Sequence, residues 1–551
     1  MSNVLRILFL VLAIPSLLFA QGESGLTKSF GQPGEAGSFE ARFSRTTAGI
    51  IWLKAKDHYV SVEAARKEDH QGKDYLLLID DAQHSMRLFE PAGSLFAKNP
   101  SDEQWDMEDI PDGVKFTLAD GKGLVLEKVF LYDQDQRGFQ VTIKLTNESS
   151  DLVGKTQDFW LGGPALVSPK NSSLFGDVST AIVAPITGEV VTAKASPQFV
   201  NQPLAIGPGM LSFAGSTNRF FGGFIWPKDE ESRSAVTAYT VETVPARAGQ
   251  EDNLTTRMVF GLQFAVPQKG QASSLSYGLY LGPKSYRVFE TLPDPTLFVP
   301  ILDNDLEPPC CGISVPGGRY MATMLLSLLG WFYGIFGNWG VAIIFLTVLV
   351  RGAMFPLNFR MQKSMRAYGA KMSKLKPKMD AMKAKYADDE KAYQQAMMAF
   401  NRENKVIPPI GGCLPIFLTM PIYIGLFTAL RTAYDLRQQP FISWIDDLSN
   451  SDALFQLGFW PDDFNLLPLL WIGLMVFQLS RQPLPTDPQQ RQTQKIMRIM
   501  PLTFGVMLYS YASALLLYMV TSMAWSLIES AIVKKILGPA DPNSGMMPTP
   551  M

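Results

Sequence analysis

From Trp339 to Leu357 the chain passes through nineteen residues with a single charge, Arg351. A hydrocarbon layer roughly 30 Å thick is crossed by a helix of about 17–25 apolar residues, so this stretch is fit to span a membrane. An arginine near the centre of such a helix costs about 2.5–3.5 kcal/mol on insertion scales, and that position demands water, a partner or a route to the surface. Arg351 precedes Arg360 by nine residues, which puts it roughly 13 Å inside the charged end of the helix. Snorkelling of the long side chain shortens that depth without removing it.

Thr347, Arg351 and Asn358 lie at spacings of four and seven. On a helix turning about 100° per residue they fall within roughly 40° of one another and form one polar stripe. Small or polar residues of other apolar segments are the candidate partners: Thr419, Thr428, Thr432, Gln478, Ser522 and Glu529. Two readings stay open at this point. Arg351 either snorkels or pairs to fix helix packing, or lines a water-filled site for polar or charged groups of a substrate.

Five spans fit the apolar pattern, at about 338–358, 409–432, 464–481, 498–513 and 515–533, the last two joined by a short turn near Ser510 to Ser513. The loop at 359–407 carries twelve basic residues against five acidic ones, whereas 434–463 carries six aspartates and only Arg437. Arg481, Arg491, Lys495, Arg498, Lys534 and Lys535 return to the basic side. Positive loops stay in the cytoplasm, so the basic loop and the C-terminus face inward. Before the first span, 316–336 is apolar but broken by Gly330 and Gly334 and rich in Trp331, Phe332 and Tyr333. It reads as an amphipathic helix lying in the membrane interface.

Residues 21–300 have a different texture, with 26 basic and 34 acidic side chains. Runs such as Gln140 to Asn147 place apolar residues at every second position, as do Leu124 to Tyr132 and Leu275 to Leu281. Turn residues separate them, and the pattern predicts a large antiparallel β-sandwich over 21–315. Residues 1–20, a short basic start and an apolar run ending at Ala20, read as a signal peptide or an uncleaved signal anchor, and either exports this domain.

No Walker loop, Gly-x-Ser-x-Gly elbow or His-Glu-x-x-His pair occurs, so no catalytic, cofactor or metal residue is assigned and the protein is not expected to be an enzyme. Cys310, Cys311 and Cys413 form no disulfide framework; the adjacent pair is either two free thiols or a strained vicinal bridge. The acidic run Asp229-Glu230-Glu231 is a solvated turn or a docking patch.

Between the first two spans, Met361, Met365, Tyr368, Met372, Leu375, Met379, Met382 and Tyr386 recur at four and three, a heptad seam. The acids Asp388, Asp389 and Glu390 suit the start of a second helix, which gives an antiparallel hairpin over 359–407 turning near 387–389. Its methionines either hold the hairpin together or offer a pliable apolar surface to varied partners. Its basic outer face suits anionic lipid, ribosomal RNA or acidic targeting factors.

Asn338-Trp339-Gly340, Val350-Arg351-Gly352, Phe355-Pro356-Leu357, Lys376-Pro377-Lys378, Gly411-Gly412-Cys413-Leu414-Pro415, Met420-Pro421-Ile422-Tyr423 and Pro440 to Ser449 occur in this order over 338–535. Order and spacing resemble the bacterial YidC pattern of the YidC/Oxa/Alb insertase family. The resemblance implies an α+β multidomain membrane protein of the bacterial inner membrane. A periplasmic antiparallel β-supersandwich would precede a five-helix transmembrane insertase core over 337–535, with a cytoplasmic hairpin and a short cytoplasmic tail at 536–551.

It also implies a membrane-protein insertase and chaperone, working alone or with the Sec translocon through a hydrophilic groove closed outward. Groove residues would be Arg351, Thr347, Asn358, Gln478, Tyr518 and Met519. Met365, Met372, Lys376, Pro377 and Met379 would serve the hairpin. Partners would be nascent membrane proteins, ribosome–nascent chain complexes, the Sec translocon and the bilayer. No cofactor and no specific nucleic-acid sequence are implied. Tyr518 matches one of the tyrosines often paired in the family, and Met519 replaces the other. The competing classes are a secondary transporter, which predicts internal repeats and paired broken helices that this chain lacks, and an envelope sugar-binding receptor, which would place the function in residues 21–300.

Overall fold

The computed structural model describes residues 25–67, 69–90, 95–167, 180–187, 190–193, 204–245, 254–305, 318–386, 389–404, 414–457, 463–481, 484–485, 499, 502–538 and 546–547. Residues 1–20, Cys310, Cys311 and Cys413 lie outside them, as does the start of the span expected at 498–513. The chain divides into two compact units, Met1–Asn304 and Asp305–Met551.

The first unit is built from antiparallel sheets of nine, five and four strands. Alternation dictates the largest. Along Gly138–Asn147 every second residue is buried, and this strand pairs with Leu124–Asp133 on one side and Gln271–Pro283 on the other. The four-stranded sheet covers one part of the nine-stranded sheet through an aromatic layer: Phe30, Phe39 and Phe43 meet Phe130 and Phe139 at centroid distances of 5.0–6.3 Å. The five-stranded sheet packs beside it through Leu254–Ala265, which lies against Thr180–Pro185 and Leu211–Thr217.

Two buried basic side chains tie these layers together. Lys128 donates to the carbonyl oxygens of Ala48, at 2.9 Å, and of Met86. Arg257, fully buried, meets Asp81 Oδ2 at 2.9 Å and Glu242 Oε2 at 2.6 Å, and donates to Gln83 Oε1 at 3.1 Å.

The second unit is helical, and its described helices are labelled α1 (Gly318–Phe336), α2 (Trp339–Lys385), α3 (Glu390–Glu403), α4 (Leu414–Thr432), α5 (Leu466–Ser480) and α6 (Ser513–Leu537). A further helical run covers 502–507. Among the described residues, Trp339–Ser364 and Ser513–Leu537 are long and apolar enough to cross a membrane, and α5 is a shorter apolar helix.

The α1–α2 corner follows from two residues. Gly337 takes φ +63°, a left-handed conformation that glycine adopts without a Cβ penalty. Asn338 then caps α2: its Oδ1 accepts from the Val341 N–H at 3.0 Å while its Nδ2 donates to the Phe441 carbonyl at 3.0 Å. The second bond joins α2 to the loop after α4. Gly340 keeps that loop close, because a Cβ there would meet the Phe441 ring at 2.0 Å. Gly340→Ala is expected to cost about 1–3 kcal/mol through overpacking, read as a lower unfolding midpoint of the solubilised protein; an unchanged midpoint would show that the loop moves away freely.

The same loop is stitched by buried polar groups. Asp452 Oδ2 accepts from the backbone N–H of Leu466 at 2.7 Å and of Leu467 at 3.0 Å, capping α5. The Ser513 hydroxyl, at the start of α6, bonds to the carbonyls of Asp447 at 2.9 Å and Asn450 at 2.8 Å. At the other end of the unit, α2 continues as one helix through Pro356 and Pro377 to Lys385. Asp389 caps α3 by accepting from the Ala392 N–H at 2.9 Å, and Arg366 Nη1 bonds to the Gly538 carbonyl just past α6 at 3.0 Å.

Candidate functional site

Burial along α2 changes abruptly at Arg351. Trp339, Ala342, Ile343, Leu346 and Thr347 are buried, whereas every described residue from Val350 to Arg360 is half-buried or exposed. The buried half belongs to an apolar cluster with Leu430 of α4, Leu436, Ile445 and Leu448 of the following loop, and Leu515 and Leu516 of α6. This cluster plugs the end of the helices that carries the acidic loop, and Arg351 lies one turn beyond it, where the packing opens.

The half-buried guanidinium is held by hydroxyls. Its Nε donates to Ser522 Oγ at 2.6 Å, and Nη2 donates to Ser522 and to the Tyr423 hydroxyl. The Arg351 Cζ stands 5.3 Å from the centroid of the Tyr423 ring, within cation–π reach. Tyr423 in turn meets Tyr518 edge to face, with centroids 6.0 Å apart. No carboxylate pairs with Arg351 among the described residues. Hydroxyls orient the cation without neutralising it, so its full charge stays available.

Further along α6 the polar contacts continue. Ser526 Oγ accepts from Gln478 Nε2 of α5 at 2.9 Å, while Gln478 Oε1 is buried with no partner among the described residues. Glu529 Oε1 accepts from Trp525 Nε1 at 3.0 Å. Tyr518, Ser522, Ser526 and Glu529 follow at spacings of four, four and three, one stripe of α6.

The expected site residues divide. Arg351, Tyr518 and Ser522 come together, Gln478 joins the same α6 stripe, and Met519 packs on the rim of the apolar cluster. Thr347 is buried, and its hydroxyl turns back to the Ile343 carbonyl at 2.7 Å. Thr428 and Thr432 likewise bond within α4, to Ile424 and Thr428. Asn358 is half-buried on α2. In the hairpin Pro377 is exposed and Met379 half-buried, while the side chains of Met365, Met372, Lys376 and Thr419 lie outside the described residues.

Tyr423 and Ser526 were not expected. A phenol in the middle of an apolar span was one available signal, and the four-residue step from Ser522 to Ser526 was the other. Ser522→Ala is expected to strand the guanidinium donors at a cost of about 1–3 kcal/mol. Insertion should then fall, but by less than on removing Arg351, as measured by the protease-protected fraction of a model substrate; full activity would show that Ser522 does not position the arginine.

The family model described as 60Kd inner membrane protein matches residues 331–539, which contain α2 through α6. A relative from Laribacter hongkongensis, named membrane protein insertase YidC, is 37% identical over 428 residues, 77% of this chain and 71% of that protein. The chain belongs to the YidC family of membrane protein insertases. A YidC of the same name from Neisseria meningitidis serogroup C is 28% identical over 440 residues, covering 76% of this chain and 72% of the relative. Both alignments are longer than the matched 331–539 region, so the likeness to YidC reaches back into the β unit. A galactose mutarotase related enzyme from Lactobacillus acidophilus aligns with 49% of this chain and 99% of its own at 11% identity and a TM-score of 0.28, too low to carry an argument.

Proposed function

We propose that the chain inserts nascent membrane proteins by receiving their polar segments in the groove that α2, α4, α5 and α6 form around Arg351. The carrying observation is a half-buried guanidinium, oriented by Ser522 and Tyr423, without a carboxylate partner among the described residues and one turn beyond an apolar plug. A polar segment entering such a groove exchanges water for fixed donors, and its apolar part moves sideways along helix faces that already display Phe345, Leu349 and Ile528 outward. The charge acts on acidic groups of the substrate in a medium less polar than water, where attraction is stronger. This displacement needs no nucleotide and no metal.

In this reading five helices cross the inner membrane, the β unit is periplasmic, and the hairpin and C-terminus are cytoplasmic, a topology that the loop charges support. Thr347 and Asn358 flank the groove, with Gln478, Tyr518 and Met519 along its far wall. The hairpin, through Met365, Met372, Lys376, Pro377 and Met379, meets ribosome–nascent chain complexes, and larger substrates are shared with the Sec translocon. The test is reconstitution of the purified chain in vesicles without other translocation proteins. A short single-span substrate with an acidic exported segment should become protease-protected in the correct orientation; protection equal to that of protein-free vesicles would refute the reading.

A further inference from the structure

Just beyond Arg351, α2 carries a weak point. Pro356 has no N–H to give the Gly352 carbonyl, so the helix crosses that turn one hydrogen bond short and with a glycine at its start. Beyond it, residues 357–385 form an arm roughly 43 Å long. None of the described residues from Gly352 to Ser364 is buried, so packing alone holds this arm loosely.

One bond fastens it. Among the described residues, the donation from Arg366 Nη1 to the Gly538 carbonyl at 3.0 Å is the side-chain hydrogen bond that joins the arm to another element. Gly538 has φ +74° and ψ 176°, a combination essentially confined to glycine, and that ψ sets where its carbonyl points. On the α6 side the stripe of Ser522, Ser526 and Glu529 runs on to Val533, fully buried between exposed Ile532 and Lys534. The end of α6 is therefore the anchored side of the pair. Arg351–Ser522 and Arg366–Gly538 join the same two helices at two levels, 15 residues apart on α2 and 16 on α6, or roughly 22 and 24 Å along the axes. The weak turn lies between them.

We propose that Arg366 is a positioning residue for insertion: its bond to Gly538 holds the α2 arm against α6 and sets the width of the groove mouth beyond Arg351. Its role in insertion rests on the groove reading given above. With the arm fastened, a polar segment meets the Arg351 guanidinium in one geometry. With the arm released, only a fraction of the molecules presents that geometry, and apparent affinity falls by the same fraction. A hydrogen bond from a charged donor shifts such an equilibrium by roughly tenfold or more.

The test is the distance between spin labels at Lys378→Cys on the arm and Lys535→Cys on α6, both exposed positions, in the full chain in nanodiscs with Cys310, Cys311 and Cys413 changed to serine. A 20° tilt at Pro356 moves Lys378, 22 residues along, by roughly 12 Å, which the measurement resolves. The narrow distribution expected for the parent chain should broaden in Arg366→Met and in Gly538→Ala, and no further when both are combined. Arg366→Lys should stay narrow, since a single donation is all that lysine must supply. Pro356→Ala, which restores the missing N–H, should narrow the distribution again in the Arg366→Met background. In reconstituted vesicles Arg366→Met should raise the substrate concentration for half-maximal insertion by up to about tenfold with little change in the maximal rate. The distances need no substrate, so a failed latch and a failed groove reading are told apart. Unchanged distances in Arg366→Met, broadening in Arg366→Lys equal to that in Arg366→Met, no narrowing by Pro356→Ala, or broadened distances with unchanged half-saturation would each overturn the proposal.

Discussion

Arg351→Ala is expected to abolish insertion of substrates whose exported segment is acidic, while Arg351→Lys retains a substantial part. A unit charge 4 Å from another contributes roughly 4 kcal/mol at an effective dielectric near 20, against about 1 kcal/mol in bulk water. Losing even half of the former is more than a tenfold change in the population of the groove-bound state. Lysine keeps the charge but loses the planar fork that reaches Ser522 and Tyr423 together. The comparison therefore separates field from geometry, and substrates with neutral exported segments should lose much less in either variant. Equal loss for lysine and alanine across both substrate types would assign the arginine to a specific shape in place of a charge.

The second large effect lies in the β unit. Arg257→Met leaves Asp81 buried without its cation and removes the close partner of Glu242. Breaking a buried pair from one side costs about 3–5 kcal/mol, because the remaining charge cannot regain its water. Since whole domains are stable by only about 5–15 kcal/mol, the loss should appear as a clear drop in the urea midpoint of the β-sheet circular dichroism signal. Replacing Arg257, Asp81 and Glu242 together by apolar residues of similar volume should recover most of the stability. A single variant as stable as the unmodified chain would mean that water reaches the two acids.

What could be read from residues alone was local. The acids before α3 mark its start because a side-chain cap acts on adjacent backbone, whereas the corner that Gly337 and Asn338 make between α1 and α2 emerged only from the structure. Alternation in Gln140 to Asn147 fixes which side of that strand is buried. Arg351 stood out because a charge in an apolar run is costly wherever the run packs.

The partners of Arg351 were harder, since Tyr423 and Ser522 lie 72 and 171 residues away in sequence and only helix packing selects them. Angular spacing set Thr347 beside Arg351, but a threonine hydroxyl in a helix can bond to the carbonyl four residues back, and Thr347 does. The polar contacts of Arg351 thus come from Ser522 of α6 and Tyr423 of α4 and not from its own helix. The Arg257 cluster escaped for a related reason: Asp81 and Arg257 are 176 residues apart, and strand alternation says which residues point inward but not which sheets meet.

The central claim is that polar parts of an inserting chain occupy the groove beside Arg351 while apolar parts leave along the helix faces. Site-specific photocrosslinking tests it most directly, with the crosslinker placed in turn along 347–358 of α2 and 519–529 of α6 and with ribosome-bound nascent chains as substrate. Crosslinks to the polar exported segment are expected at positions flanking Arg351 and Ser522, and crosslinks to the apolar segment at the outward-facing Leu349 and Ile528. Crosslinks spread evenly around both helices, or confined to the hairpin, would contradict the account.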